Sequence, residues 1–322
     1  MELSLEIKPF SFELVKPLNT SKGIINKKEG WLLNIQDETG KNGWGEIAPL
    51  NQHEMSECEN LLNNLEKKLS KRQLEVKLLK SSGAFAFGIG AALAEIESLI
   101  DLDINNNSST WLESAFLLPT DDSLISVLES KLNEQSTKDE NITFKWKVAC
   151  LPNEIEKKLL DKILNLLPSK ARLRIDPNAG WDRKTAKDWV DYLVNESKLE
   201  WIEQPLSSSD LEGMTMLSKH IPIALDESLI DYPVLRQTWK SWQIRKPLLE
   251  GDPRQLLKEL NDKVGYRVIS SSFETGIGRR WTQYLATLQQ QGPTPTAPGL
   301  GPGWCPNTPL FSDHPISVWN AA

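Results

Sequence analysis

The chain has 322 residues, of which 25% are charged, and a formal net charge of -7. That length is too great for one small core and suits a large barrel with an accessory domain, or two ordinary domains. The acidic balance, with basic runs such as NKKEG diluted by acids, argues against nucleic acid or another polyanion as partner.

The opening MELSLEIKPF carries Glu2 and Glu6 where an export signal would be basic and then apolar, so a soluble cytoplasmic protein is expected. LSLEIKPFSFELV and GWLLNIQDETGKNGWGEI read as antiparallel strands, with Gly40 and Gly43 supplying permissive backbone in the turn between the second pair. ECENLLNNLEKKLSKRQ reads as one helix with Leu61, Leu65 and Leu69 on one face. FGIGAALAEIESLI reads as a second helix, small-residued and apolar, which with Glu95 and Glu97 falls short of a membrane span. Gly88-Ile-Gly90 begins like a dinucleotide fingerprint, but Leu93 stands at the third glycine position and no strand precedes it. Strands followed by helices predict an α+β domain over residues 1–107.

From Trp111 the pattern changes to strand-helix units, predicted over 108–301. ESAFLLP is the first strand. KWKVA precedes a helix with Ile155, Leu159 and Ile163 at helical spacing and Pro168 as its stop. RIDPNAGW precedes a helix capped by Asp182, with Trp189, Leu193 and Val194 as its buried stripe. EQP, DES and RKP each end a further strand and lead into a helical pattern, and YRVISSS precedes GIGRRWTQYLATLQQQ. That makes seven strands, with TAPGLG as an imperfect eighth. The Pro- and Gly-rich tail holds Trp304, Leu310, Phe311 and Trp319, apolar enough for residues 302–322 to dock back on the first domain.

Cys58, Cys150 and Cys305 are far apart without C-x-x-C spacing, which points to a reducing compartment and no disulfide framework. His53, His220 and His314 lack metal or triad spacing and read as surface residues. The twelve tryptophans, Trp31, Trp44, Trp146 and Trp181 among them, read as packing, since a base-stacking platform needs a basic groove.

The residues that suggest chemistry stand at the strands' C-terminal ends, where barrels carry their sites. Lys145 and Lys147 are two apart on a strand and leave one face, while Phe144, Trp146 and Val148 leave the other. Two lysines inside a barrel need anionic partners. Asp176, Glu203 and Asp226 end the next three strands and can supply them, and three converging carboxylates suit Mg²⁺. Each acid by itself also reads as an N-cap or turn residue: Asp176 precedes Pro177, Glu203 precedes Gln204-Pro205, and Asp226 precedes Glu227-Ser228. Lys246 ends the following strand and reads alternatively as a solvated loop lysine. Neighbouring positive charge lowers a lysine's proton affinity toward that of a general base, and a base beside a metal can remove a proton α to a carboxylate, giving an enediolate.

The set KWK, RIDPNAGW, WIEQP, LDES, IRKP and SSSFETGIG resembles the enolase superfamily, in the branch with a lysine on both faces of the site. The resemblance covers nearly the whole chain and implies an α/β fold, a modified (β/α)7β TIM barrel with an α+β capping domain. With GWGEIAPL, FGIGAALAE and KPLLEGDP added, the motifs are most similar to enzymes that dehydrate a cyclohexadiene carboxylate to o-succinylbenzoate on the way to menaquinone or phylloquinone. That resemblance implies Mg²⁺, with Mn²⁺ as a substitute, on Asp176, Glu203 and Asp226. It implies Lys147 as the proton-transferring residue and Lys246 as a cation facing the planar intermediate. It implies Lys145 on the substrate carboxylate, and Ser271 and Ser272 on the succinyl carboxylate. Asn178 and Glu227 adjoin the ligand-bearing strand ends and are expected to support them. In the cap, PLNTSKGIINKKEG, with Thr20 and Ser21, corresponds to a loop that closes over substrate. Two alternatives stand beside this reading: racemisation or epimerisation of an N-acylamino acid or dipeptide, in which both Lys147 and Lys246 move protons, and a catalytically silent barrel. A small-molecule carboxylate is the expected partner, with no nucleic acid and no membrane.

Overall fold

The computed structural model describes residues 1–20, 23–81, 83–100, 112–134, 141–301, 303 and 305–322. Ser21, Trp111, Trp304 and the predicted boundary between residues 107 and 108 lie outside them. By contact the chain forms two compact units, one built from Met1–Asn19, Gly23–Leu112 and Arg245–Ala322, the other chiefly from Glu113–Ile244.

The first unit begins with strands β1 (Glu2–Thr20), β2 (Gly23–Asp37) and β3 (Asn42–Ile47), then α1 (Gln52–Asn63), β4 (Lys68–Ser70), α2 (Lys71–Leu78) and α3 (Gly83–Ile96). Its sheet runs β3-β2-β1-β4. Gly40 makes the turn between β2 and β3 at φ 87°, but Gly43 lies within β3 and acts differently. A Cβ on Gly43 would collide with the Ala92 carbonyl oxygen on α3, and one on Gly45 with that of Gly88. The missing side chains therefore let the apolar α3 lie directly on the strand, and Gly88-Ile-Gly90 is a packing motif.

The single helix predicted over residues 57–73 is broken. Asn64 closes α1, Lys68–Ser70 pairs antiparallel with Glu2, Leu3 and Ser4, and Ser70 starts α2 by a reciprocal capping box with Gln73. Leu69 is thus buried by strand pairing at 3% exposure, whereas Leu61 is 41% exposed. The capping box favours a new helix start at Ser70 over continuation from α1.

The next elements are β5 (Phe116–Leu118), α4 (Leu124–Glu134), β6 (Thr143–Lys147), α5 (Asn153–Leu166), β7 (Arg172–Asp176), α6 (Arg183–Leu193), β8 (Leu199–Glu203), α7 (Leu211–Leu217), β9 (Ile223–Leu225), α8 (Glu227–Asp231), α9 (Leu235–Thr238) and β10 (Trp242–Arg245). After them come α10 (Pro247–Glu250), α11 (Pro253–Asn261), β11 (Arg267–Ile269), α12 (Gly276–Gln290) and α13 (Pro315–Ala321). Seven parallel strands follow one another in chain order from β5 to β11. TAPGLG adds one parallel bridge, Gly299 to Ser270, in place of a full eighth strand. This is the expected (β/α)7β architecture with a separate antiparallel sheet.

Two helix faces are rotated from those predicted. On α5 the buried residues are Glu156, Leu160 and Ile163, with Ile155 on the solvent side. On α6, capped by Asp182 accepting from the Thr185 amide, Val190 is buried and Val194 exposed. In both cases adjacent apolar residues fit a helical stripe, and packing on the sheet selects between them. Within the first unit Phe311 meets Phe12 edge-on at 4.9 Å and Trp319 meets Trp44 at 5.7 Å. The three histidines are exposed. No helix among the described residues is long and apolar enough to cross a membrane.

Candidate active site

The second unit gathers five of the predicted residues. Phe144 and Trp146 in β6 and Val148 just past it are buried in the core, which leaves Lys145 and Lys147 on the opposite face. Register then sets their neighbours: Lys147 pairs with Asp176 across β6 and β7, and the Val148 amide donates to the Asp176 carbonyl at 3.0 Å. Glu203 pairs with Ala224 across β8 and β9, so Asp226, just beyond β9, completes a row of strand-end carboxylates.

Asp176, Glu203 and Asp226 are all buried. The Lys145 ammonium stands between two of them, 2.8 Å from Asp176 Oδ2 and 2.6 Å from Glu203 Oε1. Burial opposes the charge on Lys145, but Asp176 and Glu203 outweigh it and hold the amine above the usual lysine range. Burial likewise pushes Asp176 up, yet Lys145 and Lys147 prevail and keep it below the usual carboxylate range. Glu203 is raised, first by burial and then by repulsion from Asp176 and Asp226 that Lys145 does not fully offset.

That donor set fits a hard divalent cation, because three buried carboxylates, one raised by burial and by its acidic neighbours, are relieved by concentrated positive charge. Among the described residues no three His, Cys, Asp or Glu side chains are already closed around an ion position. Lys145 supplies a positive charge between two of the carboxylates in this arrangement.

Lys147 is held differently. Its Nζ donates to Asn178 Oδ1 at 2.6 Å, while the Asn178 amide nitrogen of the backbone donates to Asp176 Oδ1 at 2.9 Å. Asn178 Nδ2 donates to Glu227 Oε1 at 3.4 Å. Asn178 therefore links the lysine to the carboxylate row, helped by a left-handed backbone at φ 47° that Asn tolerates.

Two further residues were hidden from sequence reasoning. Gln204, read only as part of a turn, is fully buried, and its Oε1 accepts from the Asp226 and Ser228 amides at 3.0 and 3.1 Å. Its Nε2 donates to Leu206 O and Ser228 Oγ, so all its bonding capacity fixes the chain around Asp226. Glu156 is buried on α5 and accepts from the Ala149, Cys150 and Leu151 amides at 3.0, 2.9 and 3.0 Å, anchoring the turn after Lys147. A charged residue on the helix's buried stripe was the available signal.

The remaining predicted residues lie in the first unit. Lys246 starts α10, its amide donating to Glu250 Oε1 at 2.7 Å. Ser271, just past β11, donates through its amide to Gly299 O at 3.0 Å and through its hydroxyl at 3.3 Å. Ser272 is 1% exposed.

The parallel strands that end in Lys-x-Lys and successive carboxylates fall in the stretch, residues 134–241, that the profile of the enolase C-terminal domain-like family matches, which places the fold in the enolase superfamily. The profile described as MenC, N-terminal domain, matches residues 12–96. An o-succinylbenzoate synthase of Thermosynechococcus vestitus is 30% identical over 283 residues, 83% of each chain. The chain belongs to the o-succinylbenzoate synthase family. A crystal structure of o-succinylbenzoate synthase from Thermosynechococcus elongatus BP-1, complexed with Mg in the active site, matches with TM-score 0.79 and 27% identity over 95% of each chain. The L-Ala-D/L-Glu epimerase of Bacillus subtilis shares the fold at TM-score 0.65 and 19% identity, covering 90% of this chain and 88% of the epimerase.

Proposed function

We propose that the protein catalyses syn dehydration of 2-succinyl-6-hydroxy-2,4-cyclohexadiene-1-carboxylate to o-succinylbenzoate, toward menaquinone or phylloquinone. The observation that carries this reading is Lys147, held by Asn178 beside Asp176 in a chain of this family. Asp176, Glu203 and Asp226 hold Mg²⁺, with Mn²⁺ as a substitute. The bound ion supplies positive charge against which the substrate carboxylate can take up electron density.

Lys147, as the neutral amine, takes the α-proton and then delivers it to the departing hydroxyl on the same face, so that water leaves and the ring becomes aromatic. Asn178 orients that amine with an amide oxygen rather than a full negative charge. Lys145 stays cationic and holds the substrate carboxylate as well as its two acidic partners. Lys246 acts as a stationary cation over the ring's other face, and Ser271 and Ser272 receive the succinyl carboxylate.

Purified protein with Mg²⁺ is expected to form the aromatic product in an ultraviolet assay. Lys147→Ala is expected to lower kcat by about 10²- to 10⁴-fold while still binding Mg²⁺ by calorimetry. Full activity in that variant, or deuterium uptake into N-acylamino acids without aromatisation, would remove this reading.

A further inference from the structure

A second charged cluster is buried within the first unit. Lys28 on β2, Glu46 on β3 and Glu274 just before α12 are 1%, 0% and 0% exposed. The Glu46 carboxylate accepts from the Thr275 amide at 3.1 and 3.0 Å, from the Thr275 hydroxyl at 2.6 Å and from the Gly278 amide at 3.0 Å. It therefore takes up amides at the start of the 15-residue α12 that the helix itself leaves unmade. A Cβ on Gly278 would lie 2.8 Å from that carboxylate, so the glycine makes room for it.

Glu274 continues the linkage, its Oε1 accepting from the Ser272 amide at 2.7 Å and the Thr282 hydroxyl at 3.3 Å. Lys28 donates to the Ala48 and Pro49 carbonyls, the latter at 3.3 Å, just beyond β3. Its charge also faces Glu46, Glu274 and Glu54. A buried network of this kind holds one arrangement of the chain. Two groups in it are unsatisfied: the Ser272 hydroxyl and Glu274 Oε2 are buried with no hydrogen-bond partner among the described residues. Such a group costs about 1–3 kcal/mol if nothing ever meets it, which points to a ligand.

We propose that Lys28 and Glu46 are positioning residues for substrate recognition: through Thr275 and Glu274 they fix the turn that presents Ser271 and Ser272 to the succinyl carboxylate. The inference rests on the dehydration reading above. Neither residue touches substrate. Glu46 binds the turn from the α12 side, and Lys28 supplies the positive charge that lets two carboxylates share the interior.

The test combines kinetics of o-succinylbenzoate formation with hydrogen exchange of residues 270–278, in Glu46→Gln, Lys28→Met, Lys28→Arg, Ser272→Ala and Glu46→Gln with Ser272→Ala. Glu46→Gln and Lys28→Met are expected to raise KM about fivefold or more with kcat within about threefold, and Lys28→Arg to recover part of the loss. The double variant is expected to be no worse in KM than the poorer single variant, because both act on one contact. Amide exchange at Thr275 and Gly278 should quicken about tenfold in Glu46→Gln. Additive KM effects, unchanged KM, or unchanged exchange would overturn the proposal. Quickened exchange in a protein whose wild type forms no aromatic product would instead sink the dehydration reading and leave Glu46 as the anchor of the turn.

Discussion

Lys145 in the second unit and Lys28 in the first are both withdrawn from solvent, yet burial acts on them with opposite net results. Lys145 touches two carboxylates directly, and these hold its ammonium above the usual range against the cost of burial. Lys28 touches carbonyl oxygens, while Glu46 and Glu274 act on it through space, so burial prevails and pushes it down to about 8. Direct contact with formal negative charge, more than depth, decides whether a buried lysine stays a cation. Asp176 and Glu203 share Lys145, but Asp176 has Lys147 beside it as well, whereas Glu203 faces Asp226 as well as Asp176.

The sharpest way to break this comparison is to delete each amine. Lys145→Met is expected to destabilise the Mg²⁺-free protein by about 3 kcal/mol, the lower end for breaking a buried ion pair, because 23% of the side chain is exposed. Lys28→Met should cost about 1–2 kcal/mol, since Glu274 can take up a proton when the ammonium is gone. Denaturant unfolding measures both, and a larger loss for Lys28→Met would defeat the contact argument.

A smaller effect separates the two acids. Without Mg²⁺, Asp176→Asn, which forfeits a favoured anion, should lose more stability than Glu203→Gln, whose charge is disfavoured there. Equal losses in calorimetric melting would contradict the assigned repulsion.

A further effect is with pH. Glu274 is pushed from the ordinary 4.5 to about 7, first by burial. Between those values the folded chain keeps a proton that the unfolded chain has lost. The group's contribution is therefore full below about 4.5 and lost as pH rises through 7. Melting temperature measured from pH 5 to 7.5 should fall more steeply in the wild type than in Glu274→Gln, and parallel curves would refute this.

The strand-end charges were legible because alternation in TFKWK and the strand-helix rhythm fix both face and end. Helix faces on α5 and α6 were less so, since neighbouring apolar residues satisfy the same stripe. The break at Ser70 was visible only in the Ser-x-x-Gln pattern, which competes with an uninterrupted leucine spacing. Lys28, Glu46 and Glu274 escaped altogether: the bonds from Thr275 to Glu46 span 229 residues, and one sequence carries no trace of such a pairing.

The edge-on contacts of Phe12 with Phe311 and of Trp44 with Trp319 bear on how the chain is made. During synthesis the early strands emerge long before the aromatic residues that complete their core. The nascent first unit must wait, with apolar surface open, until the barrel segment has been translated. Its folding is therefore coupled to the late part of translation.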